Sequence, residues 1–101
     1  MSRQNIGYDI EGRTPTGESS FVEVKALGYP GQPFTLTSNE EAVARQKGHA
    51  YFLALVRQTN DQLEVAFIRD PANALKLTRQ CRQWAWECAT YDFVPERFAL
   101  E

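Results

Sequence analysis

Long apolar runs, paired metal-binding cysteines and an excess of positive charge are all missing from this 101-residue chain. No stretch approaches the ~18 consecutive apolar residues that a membrane-spanning helix requires. Met1-Ser2-Arg3-Gln4-Asn5 has none of the apolar core of a secretory signal. A cytoplasmic protein without a membrane partner is the expectation. Eleven Lys and Arg stand against thirteen Asp and Glu, a formal net charge of -2 with a pI near 5.4. That balance argues against a strongly basic module that holds nucleic acid by phosphate neutralisation alone. It does not exclude a nuclease, because a bound metal supplies positive charge locally. Cys81 and Cys88 form no CxxC pair, and His49 is the single histidine, so no zinc pattern is present. The two thiols read as small buried hydrophobes rather than as a disulfide. Glycine-rich phosphate loops, internal repeats and low-complexity segments are absent too, which leaves no motor domain in the chain. A length of 101 residues bounds it to a single domain.

What is present is a charged pattern on short strands. Phe21-Val22-Glu23-Val24-Lys25 alternates, with Val22, Val24 and Ala26 on one face and Phe21, Glu23 and Lys25 on the other. Gly7-Tyr8-Asp9-Ile10-Glu11 alternates as well, with Tyr8 and Ile10 opposed to Asp9 and Glu11. The turn-forming stretch from Gly12 to Ser20 joins the two into a hairpin whose polar face carries Asp9, Glu23 and Lys25. Two carboxylates brought to one point repel, and one is driven toward protonation unless a cation lies between them. Carboxylate oxygens suit hard cations such as Mg²⁺. A lysine beside such a cation can orient water or offset charge on a phosphoryl group. The plain alternative is a Glu23–Lys25 ion pair on a solvated sheet face, a common arrangement.

The remaining chain reads as a mixed α/β domain. Thr37 and Ser38 each precede a glutamate by three residues, so Thr37–Glu40 and Ser38–Glu41 both fit a capping box. The helix they open runs to Lys47 and stops at Gly48, with Leu36, Val43 and Ala44 toward the sheet and Glu41 paired to Arg45. Residues 50–56 form a continuous apolar strand, expected to be buried on both faces. Gln58-Thr59-Asn60-Asp61 turns into a strand from Leu63 to Arg69. Asp70-Pro71 opens a short helix from Ala72 to Leu77. Residues 83–94 fit a strand better than a helix, Pro95 ends it, and the last residues make a loose tail. The order is β-β-α-β-β-α-β, one mixed sheet with helices on its faces.

Five blocks now stand in order: Gly7-Tyr8-Asp9-Ile10, Phe21 to Lys25, Leu36 to Glu40, Tyr51 to Val56, and Asp70-Pro71. Together they resemble the domain of unknown function at the C-terminus of the plant protein NO VEIN, the DUF3883 family, over about residues 6–77. That family looks like a branch of the PD-(D/E)xK nucleases, the restriction-endonuclease-like superfamily. The resemblance implies an α/β fold with a mixed sheet flanked by helices. It implies that Asp9 and Glu23 hold Mg²⁺ or Mn²⁺ with the Val24 carbonyl, and that Lys25 is the motif lysine. It further implies DNA as substrate, a helicase-like or ATPase partner domain, and a restriction or defence-type setting. Two departures stand out. The helix that precedes the first strand in the superfamily has no counterpart, which implies a domain of a larger protein or some other cover for that sheet face. The proline before the motif aspartate is Tyr8. A second copy of the chain, or the segment Trp84–Phe93, is expected to supply the cover.

Other candidates carry weaker patterns. Glu40 and Tyr51 are accessory site candidates, although a capping role explains the first and a core position the second. His49 lies in a turn and could orient a phosphate. Lys76, Arg79 and Arg82 form a positive cluster that could track DNA, or simply a solvated face. Trp84 and Trp86 read as core or interface rather than base-stacking platforms. Against metal-dependent phosphodiester cleavage stands a non-catalytic DNA-binding or protein-interaction module on the same fold.

Overall fold

A computed structural model describes residues 6–80 and 85–100, with backbone alone at 79 and 80. Its elements are β1 (Ile10–Arg13), β2 (Ser19–Ala26), β3 (Phe34–Thr37), α1 (Ser38–Lys47), a turn of 3₁₀ helix (Gly48–Ala50), β4 (Tyr51–Gln58), β5 (Gln62–Arg69), α2 (Pro71–Ala74), β6 (Thr78–Gln80), β7 (Ala85–Cys88) and β8 (Glu96–Ala99). Five strands make a curled mixed sheet in the order β1-β2-β4-β5-β8, and three make a smaller sheet in the order β3-β7-β6. Within the large sheet only β2 and β4 run parallel, joined through β3 and α1.

The local signals explain these elements. Thr37 caps α1 with a complete capping box: its hydroxyl accepts from the Glu40 N–H, and the Glu40 carboxylate accepts from the Thr37 N–H. Of the two capping boxes that the sequence allows, the Thr37 one forms. Arg45 pairs with Glu41 through two hydrogen bonds of 3.1 and 3.0 Å, as the i, i+4 spacing predicts. Gly48 follows α1 at φ 57°, a conformation that favours glycine.

One core occupies the α1 side of the large sheet. Tyr51, Leu53 and Leu55 of β4, Phe21 of β2 and Ala66 of β5 meet Leu36, Ala44, Phe34 and Cys88 there. Leu36, Tyr51, Leu53, Leu55 and Cys88 are completely buried. Trp86, Tyr91 and Phe93 pack against the same cluster. The described part of the C-terminal segment therefore joins the core beside α1 and does not cover the opposite face of β4. That opposite face remains the more open one: Ile10, Val24, Phe67 and Phe98 are exposed on it.

Several boundaries depart from the sequence expectation. The predicted strand over 7–13 begins only at Ile10. Gly7 adopts φ 86° and packs so close to α1 that a Cβ there would lie 2.6 Å from Val43 Cγ2. This turn breaks the alternation, and Tyr8 lies edge-on to Phe21, with ring centroids 4.9 Å apart, instead of sharing the face of Ile10. The helix predicted to reach Leu77 ends at Ala74. Asp70 precedes it in the left-handed region at φ 53°, and its carboxylate accepts from the Asn73 side chain rather than from a backbone N–H. The predicted strand over 83–94 is confined, among the described residues, to Ala85–Cys88. The predicted loose tail is instead an edge strand, β8, paired antiparallel with β5. Glu64 holds it there, bonded to Arg57 of β4 at 2.9 Å and to Arg97 of β8 at 3.0 Å.

Candidate functional site

Strand β2 places Glu23 and Lys25 together, but on the covered side of the sheet, whereas Asp9, just before β1, is exposed at its edge. Phe21, Glu23 and Lys25 face α1, and Glu23 is only 6% exposed, whereas Val24 on the other side is 38% exposed. The Glu23–Lys25 pair is thus no solvated surface pair. Continuing the β1/β2 register sets Asp9 opposite Glu23, and the Asp9 N–H donates to the Val22 carbonyl at 2.8 Å. The Asp9 carboxylate accepts the Val24 N–H, also at 2.8 Å, substituting for the strand carbonyl that β1 would have supplied had it started earlier.

The fourth member comes from α1. Glu40, buried at the helix start, receives the Lys25 ammonium at 2.8 Å on Oε1, the same oxygen that accepts the Thr37 N–H at 3.0 Å. Lys25 Nζ also lies 3.6 Å from Glu23 Oε2, so a single ammonium bridges the two buried acids. Burial, more than any other cause, pushes the Glu23 carboxyl up to about 8. The charge of Glu40 and a hydrogen bond with it raise it further, Asp9 adds to the rise, and Lys25 opposes it. Near neutral pH the Glu23 carboxyl therefore holds a proton, with Lys25 beside it. Tyr51 forms the wall of this cluster. It is fully buried, and its hydroxyl donates to the Gly7 carbonyl at 2.6 Å. Burial raises its pKa first, and the charges of Glu23, Glu40 and Asp9 raise it further. Tyr51 stays neutral and anchors the turn that leads into Asp9.

The donor set matches a hard divalent cation in kind, since it consists of carboxylate oxygens and a neighbouring main-chain carbonyl. Among the described residues, no three His, Cys, Asp or Glu side chains converge closely enough to enclose a cation. Asp9, Glu23 and the Val24 carbonyl are the groups that could contribute to holding one.

Other sequence candidates are scattered. His49 lies in the 3₁₀ turn, with Nδ1 3.8 Å from the Asp70 carboxylate. Lys76 is exposed beyond α2, Arg79 is described only as backbone in β6, and Arg82 lies outside the described residues, as does Trp84. No basic cluster of these three can be described. The sequence reading missed the hydrogen bond between the raised Glu23 carboxyl and Glu40. Its only signal was that Glu40 serves both a capping box and the helix start facing the hairpin.

Fold and site together define a mixed α/β domain with a buried cluster of acids around one lysine. The chain matches the family described as Protein NO VEIN, C-terminal, over residues 1–68, and it belongs to that family. No curated protein and no solved structure matches it. No helix among the described residues is long and apolar enough to cross a membrane.

Proposed function

We propose that this domain hydrolyses phosphodiester bonds of DNA with a divalent cation, Mg²⁺ or Mn²⁺, on a restriction-endonuclease-like sheet. One observation carries the reading: Glu23 is buried beside two further acids and keeps its proton up to about 8. Ionised acids so placed repel one another, and a cation bound in place of the proton would offset that repulsion. Asp9 and Glu23 would hold that cation, with the Val24 carbonyl. When bound, it polarises a phosphoryl oxygen and makes a coordinated water more acidic. Lys25, held by Glu40, presents an ammonium at the rim of the acids, where it can orient a water or offset charge developing on the phosphoryl group. A helicase-like or ATPase partner and a restriction or defence-type role belong to the same proposal.

A second reading is favoured by a different observation. Lys25 is already engaged by Glu40 at 2.8 Å, and Glu40 is fully used as the capping-box acid. A non-catalytic binding module would use the cluster only to lock α1 to the hairpin.

Titration calorimetry with Mg²⁺ and Mn²⁺, alongside plasmid nicking, separates the two. In the nuclease reading Glu23→Ala abolishes both cation binding and nicking. Lys25→Ala keeps cation binding but lowers turnover by on the order of 10²-fold, as expected when a transition-state stabiliser is removed. The binding-module reading expects no cation heat and no nicking in any variant.

A further inference from the structure

We infer that a second site, a pocket at the end of the sheet where β2 and β4 begin and β5 ends, binds the phosphate of a nucleotide unit in a nucleic-acid strand. The pocket has a volume of about 450 Å³, and Lys47, His49, Phe52 and Arg69 lie on its wall with the turn between β1 and β2. Two of its cations are held without carboxylates. The Lys47 ammonium sits 4.4 Å from the Phe21 ring centroid, and the Arg69 guanidinium 5.5 Å from that of Phe52. Arg69 Nε donates to the His49 carbonyl at 2.8 Å, which fixes the side chain and leaves its terminal nitrogens for another acceptor. Neither Lys47 nor Arg69 forms an ion pair among the described residues. Lys25, Arg45, Arg57 and Arg97 all do. Ser19 lies on the same wall and can supply a neutral hydroxyl donor, whereas the Thr14 hydroxyl is taken up by Thr16 and the Glu18 N–H. Glu18 is the one opposing group on the rim, exposed and hydrogen-bonded by the Thr16 hydroxyl at 3.2 Å.

The choice of ligand follows from the placement. Lys47 ends α1 seven residues after Glu40, in its first turn, which is about 10 Å along the axis. A strand with one phosphate at the acid cluster can reach the pocket with another a few nucleotides away. The strand assignment rests on the nuclease reading. The pocket's affinity for phosphate does not.

The test is fluorescence anisotropy of the full chain with a labelled single-stranded DNA 12-mer in EDTA, which removes any contribution from a divalent cation. Lys47→Gln and Arg69→Gln should each weaken binding by on the order of tenfold. Each should also reduce the salt slope of binding by about one unit. Glu18→Gln should tighten it, and Glu96→Gln, on the exposed edge strand β8 away from both sites, should leave the 12-mer affinity within about twofold of the wild type. Arg69→Gln also breaks the bond to the His49 carbonyl, so Lys47→Gln, which leaves the backbone contacts intact, keeps the test valid if the first variant unfolds. Wild-type affinity in Lys47→Gln, or no binding of the 12-mer by the wild type, overturns the pocket. Competition by deoxynucleoside monophosphate at the affinity of the 12-mer overturns the strand assignment. Absence of cation binding by the wild type, with 12-mer binding that still depends on Lys47, overturns the nuclease reading alone, whereas cation binding by the wild type with wild-type 12-mer affinity in Lys47→Gln overturns the pocket alone.

Discussion

Glu23 holds its proton at a pH where an exposed glutamate has lost it, and this makes stability run against the usual direction. Its carboxyl is raised from the ordinary 4.5 to about 8, chiefly by burial and then by Glu40. In that window the native state binds more proton than the unfolded chain. The contribution of Glu23 is complete below about 4.5 and is lost as pH climbs through about 8. Urea denaturation of the cation-free protein should therefore show stability declining between pH 5 and 8. The slope is at most about 1.4 kcal/mol per pH unit for one full proton. Glu23→Gln keeps the shape and cannot ionise, so it should flatten this decline. An unchanged pH profile in that variant would rule out the proton held by Glu23.

Element α1 does two jobs at its N-terminus. β3 runs into it with Thr37 as the junction, and the capping box satisfies orphan N–H groups that would otherwise be left at the helix start. The same cap aims Glu40 at Lys25. Thr37→Ala removes the hydroxyl acceptor and should cost about 1 kcal/mol of stability, read as a lower urea midpoint at unchanged m. Because the Glu40 carboxylate keeps its bonds to the Thr37 N–H and to Lys25, calorimetric cation affinity should change little. A large loss of cation binding in this variant would mean that the cap, and not the strand, sets the site.

Across the whole molecule, acid stability has a separate source. Glu64 joins β4, β5 and the terminal strand β8, and its hydrogen bond from Arg57, with that from Arg97, lowers its pKa below the ordinary 4.5. A depressed carboxylate stabilises above its unfolded value, and the contribution disappears as pH falls through the folded one. The two acids thus act in adjoining windows, Glu64 below about 4.5 and Glu23 above it. The cation-free protein should be most stable near pH ~5, on the linkage argument. Glu64→Gln should remove the acid limb alone, with β8 amides exchanging faster in hydrogen-exchange measurements. If β8 amides exchange as in the wild type, the terminal strand is held by its ladder and not by the glutamate.

Local patterns in the chain were sufficient for much of this. The alternation around Glu23, the Thr37–Glu40 spacing, the apolar run of β4 and the Glu41–Arg45 pair all depend on neighbours a few residues away, and each appears as written in the sequence. The side of the sheet that would be covered was not legible, because β2 carries apolar residues on both faces, and only the packing of α1 against Phe21 and Tyr51 made the charged face the inner one. The late start of β1 was hidden for a similar reason. Gly7 turns because Val43, far along the chain, leaves no room for a side chain there. The strand nature of Glu96–Ala99 was invisible as well, since its residues are exposed and polar enough for a tail, and its order comes from ladder bonds to β5 and from Glu64. Spacing within one segment could place Asp9, Glu23 and Lys25 on a common hairpin face. The meeting of Glu23 with Glu40 is a contact between a strand and a helix 17 residues apart, and distance of that kind is set by how the core closes.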